Sequence, residues 1–497
     1  MNTQSLYFGE AETKNFLQTA IAAAVCFLLV NLLIIFRFGP FSDEAWDLTG
    51  ECAGIYLAGG RFLVTIYRLI FSPCGVPVAY GIAAAIYFGL ALAIQIKILR
   101  IQNKWLQFLF IAFSVSTVQL SYFMVCSYHA DVICLGLLFV SFSYLLFEKA
   151  YTNRHKKLLY LSIIPAALGM GAYQFLGLLL PCLFLINLIQ NQGGSSSTDE
   201  SIAYLLKKAG IFLCWCLCII VLYFLFSISG KSFCSPNDLS ITQNYQSQLL
   251  LWGKLGIFTH ILHMGKAWCL HLVGAAYTGE WLYVTSLFPL VLILCDIWKR
   301  KQSIPLRFLY SVLAMGLYII PFLPIVAIGR DLGPKLFLAQ PLTCAALWCL
   351  ALTPRTQRMK HWAILAIGIF ITLKACYTVS DMAFYQKRLF DQSLVLRAEI
   401  ISRALQVDAP AEVNINACPI IVYKGLLTPI WKQDKYGNCV LPFGSDSLEK
   451  YLDTNSTLRN TNHRDTKLFP IFEKMPVYPA DGSIKYHDGN ILVKLGE

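Results

Sequence analysis

The stretch Ser42-Asp43-Glu44-Ala45-Trp46-Asp47 sets three carboxylates close together directly after the first long apolar run. If a helix begins here, Asp43, Asp47 and Glu51 fall at i, i+4 and i+8 on one face, and their repulsion weakens that helix unless a cation, an arginine or a ligand meets it. Acids in a first turn also complement the helix dipole, with Ser42 as a natural N-cap, so both readings stand. Gly59-Gly60-Arg61 opens an amphipathic stretch that reaches Arg68 one face-repeat later. A guanidinium at a membrane surface can hold a lipid phosphate through two hydrogen bonds, although a single interfacial arginine commonly just snorkels. Tyr128-His129-Ala130-Asp131 forms a tight turn between apolar runs. There Asp131 could orient His129 or a substrate hydroxyl, or cap the next helix. Tyr173-Gln174, Glu280 before Trp281, and Arg330-Asp331 put further polar groups at other turns; Tyr and Gln hydrogen-bond sugars well, although Tyr at an interface is also an ordinary belt residue. Each is weak alone, and their placement on one face of the molecule would be the signal.

The elements that must position these residues are membrane helices. The chain is 57% hydrophobic and 14% charged, with mean hydropathy +0.59, whereas a soluble globular chain carries about 25% charged residues. A soluble enzyme, a disordered scaffold and a nucleic-acid-binding domain are excluded, despite the net charge of +12. All of that excess lies before residue 380, because 380–497 holds 14 basic and 14 acidic residues. Taking roughly 20 apolar residues per crossing, spans are expected near 16–36, 77–97, 105–125, 132–148, 158–170, 173–189, 209–229, 281–298, 308–328, 336–352 and 361–379. The first is expected to stay as a helix, since no basic leader or small-residue cleavage site surrounds it.

Basic residues orient the bundle. Lys97, Arg100 and Lys104; Lys149, Arg154, Lys156 and Lys157; Lys207 and Lys208; Lys299, Arg300, Lys301 and Arg307; and Arg355, Arg358 and Lys360 all fall on one side, expected to be cytoplasmic. The amino terminus is then inside and eleven crossings leave the carboxyl-terminal domain outside the plasma membrane. This depends on dividing the apolar stretch 158–189 at Gly169–Gly171, because a single helix there would invert everything downstream. Asp43, Glu44, Asp47, Glu51, Asp131, Asp238, Glu280 and Asp331 all fall outside, so carboxylate chemistry is expected there.

Two outer loops, 37–76 and 230–280, are aromatic and apolar enough to lie in the interface as helices, the second punctuated by His260, His263, Lys266 and His271. Residues 190–201 read as a flexible connector, and no internal repeat is visible. The expected architecture is a mainly α polytopic domain over 1–379 and a small α/β domain over 380–497. In the latter, 381–405 reads as an amphipathic helix, 412–423 as a strand, 445–452 as a short helix and 482–494 as a hairpin around Asp488-Gly489. Most of the 17 cysteines lie in apolar runs as small hydrophobes. Cys418 and Cys439 could bridge in an oxidising compartment.

An outward-facing set of carboxylates, arginines and aromatic residues at the membrane boundary suits a lipid-borne phosphate donor and a polyhydroxyl acceptor. A carboxylate takes the acceptor proton while a cation steadies the leaving phosphate, which describes glycosyl transfer. The acidic pair Asp43-Glu44, Gly60-Arg61, Tyr173-Gln174, the closing Tyr478-Pro479-Ala480-Asp481-Gly482-Ser483-Ile484 and the run Ile491-Leu492-Val493-Lys494-Leu495 resemble the serotype-converting O-antigen glucosyltransferases, of the GT-C class of polytopic glycosyltransferases. The resemblance implies transfer of a sugar, glucose in that family, from a polyprenyl-phosphate carrier to a surface glycan such as O-antigen. It implies Asp43 or Glu44 as base, Arg61 on the phosphate and Gln174 on the sugar; with Asp43 as the base, Glu44 or Asp131 would orient the substrate. The pair here is Asp-Glu rather than the family's Asp-Asp. A divalent cation could bind Asp43 and Glu44, although no closed ligand set is visible. The other classes weighed are a lipid-linked glycan flippase and a glycan polymerase. The first would place ionisable groups at mid-membrane and repeat its halves, and the second would carry a larger outer loop.

Overall fold

The computed structural model describes residues 10–36, 53–71, 77–116, 119, 121, 127–190, 198–236, 238–240, 242–243, 256–273, 281–300, 302–328, 337–355, 361–408, 410, 420–423, 458–460 and 468–494. They fall into two compact units, one ending at Asp381 and the other beginning at Met382.

In the first unit the apolar runs become helices. These are α1 (Glu10–Ile35), α2 (Ala53–Ala58), α3 (Phe62–Ile70), α4 (Pro77–Ile98), α5 (Lys104–Val115), α6 (Ser127–Thr152), α7 (Lys156–Ala172) and, after a 3-10 turn at Gln174–Leu178, α8 (Leu179–Gln190). There follow α9 (Thr198–Lys231), α10 (Ile257–Leu272), α11 (Trp281–Thr285), α12 (Leu287–Lys299), α13 (Ile304–Ile319), α14 (Leu323–Ile328), α15 (Gln340–Leu352) and α16 (His361–Ala404), whose residues from Met382 onward belong to the second unit. Local chemistry sets several boundaries. The Asn103 side chain caps α5 by accepting from the Trp105 and Leu106 amides, and prolines sit in the first turns of α13 and α15. Six stretches are long and apolar enough to cross a membrane: Glu12–Val30, Val78–Ile98, Ala130–Thr152, Ile202–Lys231, Ile304–Ile328 and His361–Asp381. Lys104–Val115 and Gln174–Gln190 are shorter apolar helices, so the expected eleven crossings reduce to six by length and composition among the described residues.

The core of this unit is the succession α1 on α4, α4 on α6 and α6 on α7, with α5 against α15 and α7 against α9. The basic loops gather at one end of the bundle. Lys97 meets Glu12 at 3.5 Å, Gln190 donates to the Leu99 carbonyl, and Lys208 meets Glu148 at 2.9 Å. Trp105 stacks on His361 with ring centroids 5.8 Å apart, and Arg355 forks Asp296 at 2.8 and 2.9 Å. Two turns at this end place Arg100 (φ 47) and Arg154 (φ 55) in the left-handed region. Each closes a helix in the Schellman manner, with Ile101 donating to Ile96 and His155 to Ala150.

The apolar stretch 158–189 is two helices that reverse direction. The helix does not break at Gly169–Gly171, as expected, but at Tyr173, which is extended (φ −158, ψ 122). Gly169 and Gly171 are instead contact points: an added Cβ would lie 2.6 Å from Val140 and 2.4 Å from the Phe62 ring, respectively. The reversal is carried by Asn187 of α8, which returns to the level of Glu148 through Lys208.

The last expected span and the amphipathic helix after it form one continuous helix, α16, 44 residues long. No proline lies between His361 and Ala404 to interrupt it. In the second unit the strands β1 (Ile420–Tyr423), β2 (Leu458–Asn460), β3 (Ile484–His487) and β4 (Asn490–Lys494) form a sheet in the order β2-β1-β4-β3. β1 runs parallel to both β2 and β4, and β3–β4 is the expected hairpin. Its turn residues Asp488 (φ 44) and Gly489 (φ 77) have the two positive φ values of a two-residue hairpin. A helix α17 (Phe469–Lys474) packs on the sheet through Phe472, Met475 and Leu492. Lys494 Nζ closes its end by donating to the Met475 carbonyl at 2.9 Å. The expected strand 412–423 is described only from Ile420, and 445–452, Cys418 and Cys439 lie outside the described residues.

Candidate functional site

At the end of the bundle away from the basic loops, the short helices α2 and α3 lie against α7 and α9. Gly59-Gly60-Arg61 joins them. Gly60 ends α2 at φ +78, with Arg61 N donating to Tyr56 O at 2.8 Å, a turn that glycine enters without a Cβ penalty. Glycine is required sterically as well. A Cβ would sit 2.5 Å from the Tyr223 hydroxyl and 3.0 Å from Ser227 Oγ. Gln174 Nε2 donates to the Gly59 carbonyl at 2.7 Å across 115 residues of sequence, and the Arg61 guanidinium lies 5.0 Å from the centroid of the buried Tyr173 ring. Thus Gly59-Gly60-Arg61 and Tyr173-Gln174, singled out separately in the sequence, form one clasp, with Tyr223 and Ser227 of α9 completing it. Among the described residues no carboxylate pairs with the half-buried Arg61.

At the other end of α3, Arg68 forks Asp131, with Nη1 to Oδ2 at 3.1 Å and Nη2 to Oδ1 at 2.9 Å. Asp131 is fully buried and also accepts from the Val132 amide at 2.8 Å. The guanidinium lies 5.4 Å from the Tyr67 ring centroid and 4.7 Å from that of Tyr80. Burial first, and the Asp131 charge second, push the Tyr67 phenol up, so it stays protonated as a donor. In this geometry the Asp131 carboxylate is held as the partner of Arg68. α3 is therefore fixed at both ends, and between them Phe62 fills the space left by Gly171 and touches Tyr223 and Phe226.

Described parts of the segments 37–76 and 230–280 also meet here. Thr242 Oγ1 reaches the Ile55 carbonyl at 3.4 Å, Cys234 Sγ lies 3.5 Å from the Gly54 carbonyl, and Asp238 packs so closely on Gly54 that a Cβ would lie 2.2 Å from its Oδ2. Asp43, Glu44, Asp47, Glu280 and Arg330 lie outside the described residues, and Tyr128 and His129 are placed in the first turn of α6 by backbone alone. Among the described residues no group of three His, Cys, Asp or Glu is arranged to hold a metal ion.

The pairing of Arg68 with Asp131 and the parts of Tyr67, Tyr80, Tyr223 and Ser227 were not read from sequence. A signal existed for Arg68, one face-repeat from Arg61 on a short amphipathic helix, but nothing in sequence names its partner. Compared with known protein families, curated proteins and solved structures, the chain matches none of them.

Proposed function

We propose that this chain is a membrane glycosyltransferase that moves a sugar, glucose by the resemblance in its motifs, from a polyprenyl-phosphate carrier to a surface glycan such as O-antigen. The observation that carries the proposal is the clasp, in which an arginine with no described carboxylate partner is set beside a glutamine and two tyrosines at the end of the bundle opposite the basic loops. Arg61 steadies the leaving lipid phosphate, Tyr173 and Gln174 shape the sugar site, and Asp43 takes the acceptor proton. Glu44 and Asp47 assist from the same loop, Tyr128, His129, Glu280 and Arg330 line the acceptor side, and Asp131 acts through Arg68. A divalent ion on Asp43 and Glu44 belongs to the same reading and is tested by chelation.

The gathering of the basic loops supports a plasma-membrane orientation with that end and the amino terminus cytoplasmic; if the shorter apolar helices also cross, giving eleven crossings, the carboxyl-terminal domain is extracytoplasmic. The deciding assay is transfer of radiolabelled glucose from synthetic polyprenyl-phosphate glucose to extracted surface glycan. Wild type should transfer and Asp43→Asn should not, while remaining in the membrane. Full activity in Asp43→Asn would remove the proposed base. No transfer by wild type would overturn glucose as the sugar and turn attention to transport of the labelled lipid.

A further inference from the structure

We propose that α10 lies in the plane of the membrane surface as an anchor, one face docked on the bundle, one in lipid and a narrow third strip toward water and anionic head groups. The helix is too short to count among the six membrane-crossing stretches. At about 100° per residue, its side chains separate into three sectors.

His260, Ala267 and His271 are buried on the first, with Met264 and Trp268 beside them. His271 meets the edges of Phe322 and Phe337 at 5.2 and 4.7 Å between centroids. The second sector holds Phe258, Ile261, Leu262 and Cys269, with Phe258 80% and Leu262 73% exposed. The third holds Thr259, His263 and Lys266, all exposed, with Leu270, less exposed than Phe258 or Leu262, between them.

A crossing helix against a bundle needs two environments, protein and lipid, and a helix in water would not bare Phe258 and Leu262 together. Three distinct sectors fit a helix with protein at its side, hydrocarbon below and water above. The charge of the third strip is complementary as well, since it carries Lys266 beside His263 and Ile257–Leu272 contains no acid, which suits anionic phospholipid.

The test places a photo-crosslinking p-benzoylphenylalanine at Phe258, Leu262 or Thr259 in the full chain, reconstituted in phosphatidylethanolamine vesicles with or without phosphatidylglycerol. Intact-mass analysis after illumination should show phospholipid adducts at 258 and 262 at several times the yield at 259. At 259 the adducts that do form should favour phosphatidylglycerol. Crosslinks from 258 and 262 to protein, or a lipid yield there no higher than at 259, would overturn the assignment. Because the readout is lipid contact, its failure leaves the proposed transfer reaction untouched.

Discussion

Two buried ion pairs sit at opposite ends of the first unit, and they are built differently. At the basic end Lys208 is 2% exposed and reaches Glu148 at 2.9 Å and Asn187 at 3.0 Å. Glu148 also accepts from Tyr144 at 2.8 Å, so α6, α8 and α9 are tied together by one saturated network. At the other end Arg68 meets Asp131 through a flat two-pronged fork, flanked by tyrosine rings, and ties the short α3 to α6. A lysine is a point charge that gathers acceptors from several directions, whereas an arginine fixes one geometry. The first pair sets the register of long helices. The second sets the pose of a short helix whose other end carries Arg61.

Breaking the first pair should have the largest effect. Lys208→Met leaves Glu148 buried without its charge partner and should cost about 4 kcal/mol, measured by unfolding in detergent, and Lys208→Met combined with Glu148→Met should recover most of it. If the double variant is as unstable as the single one, the network is not the lock. Asp131→Asn should cost about 3 kcal/mol, but the loss should appear as faster hydrogen exchange over 62–70 with the long helices unchanged, together with a fall in transfer. Uniform loosening of the whole bundle would make the two pairs equivalent and erase the distinction. Gly60→Ala should cost about 2 kcal/mol from the left-handed backbone alone, with a further clash at Tyr223, and should raise the KM for the lipid donor. Gln174→Ala removes one hydrogen bond to Gly59, about 1 kcal/mol, and should affect sugar transfer more than thermal stability.

The long helices were legible because apolar length is local information. Every expected span range contains described helix, yet among the described residues six stretches meet the length and composition for crossing. The misplaced break at Gly169–Gly171 shows where local reasoning fails. Glycines there admit Val140 and Phe62 rather than ending the helix, and close approach leaves no mark in the sequence around them. The two compact units do part between Asp381 and Met382, where polarity rises, but the expected break between two helices there is absent, because polarity alone does not stop a helix and no proline follows before Ala404. At the site, residue types were legible and partners were not. Arg68 and Asp131 are 63 positions apart, and an arginine offers no sequence cue for which of several distant acids it will meet.

Arg100 and Arg154 occupy backbone conformations that glycine would enter freely, and each costs the folded protein about 1 kcal/mol by being there. The compensation falls at an earlier stage of the protein's life. While the nascent chain is threaded into the bilayer, charge in a short loop decides which way the flanking segments turn. Replacing both arginines by glycine should therefore give a tighter mature protein and a less faithful biogenesis, with a larger share of chains inserted upside down.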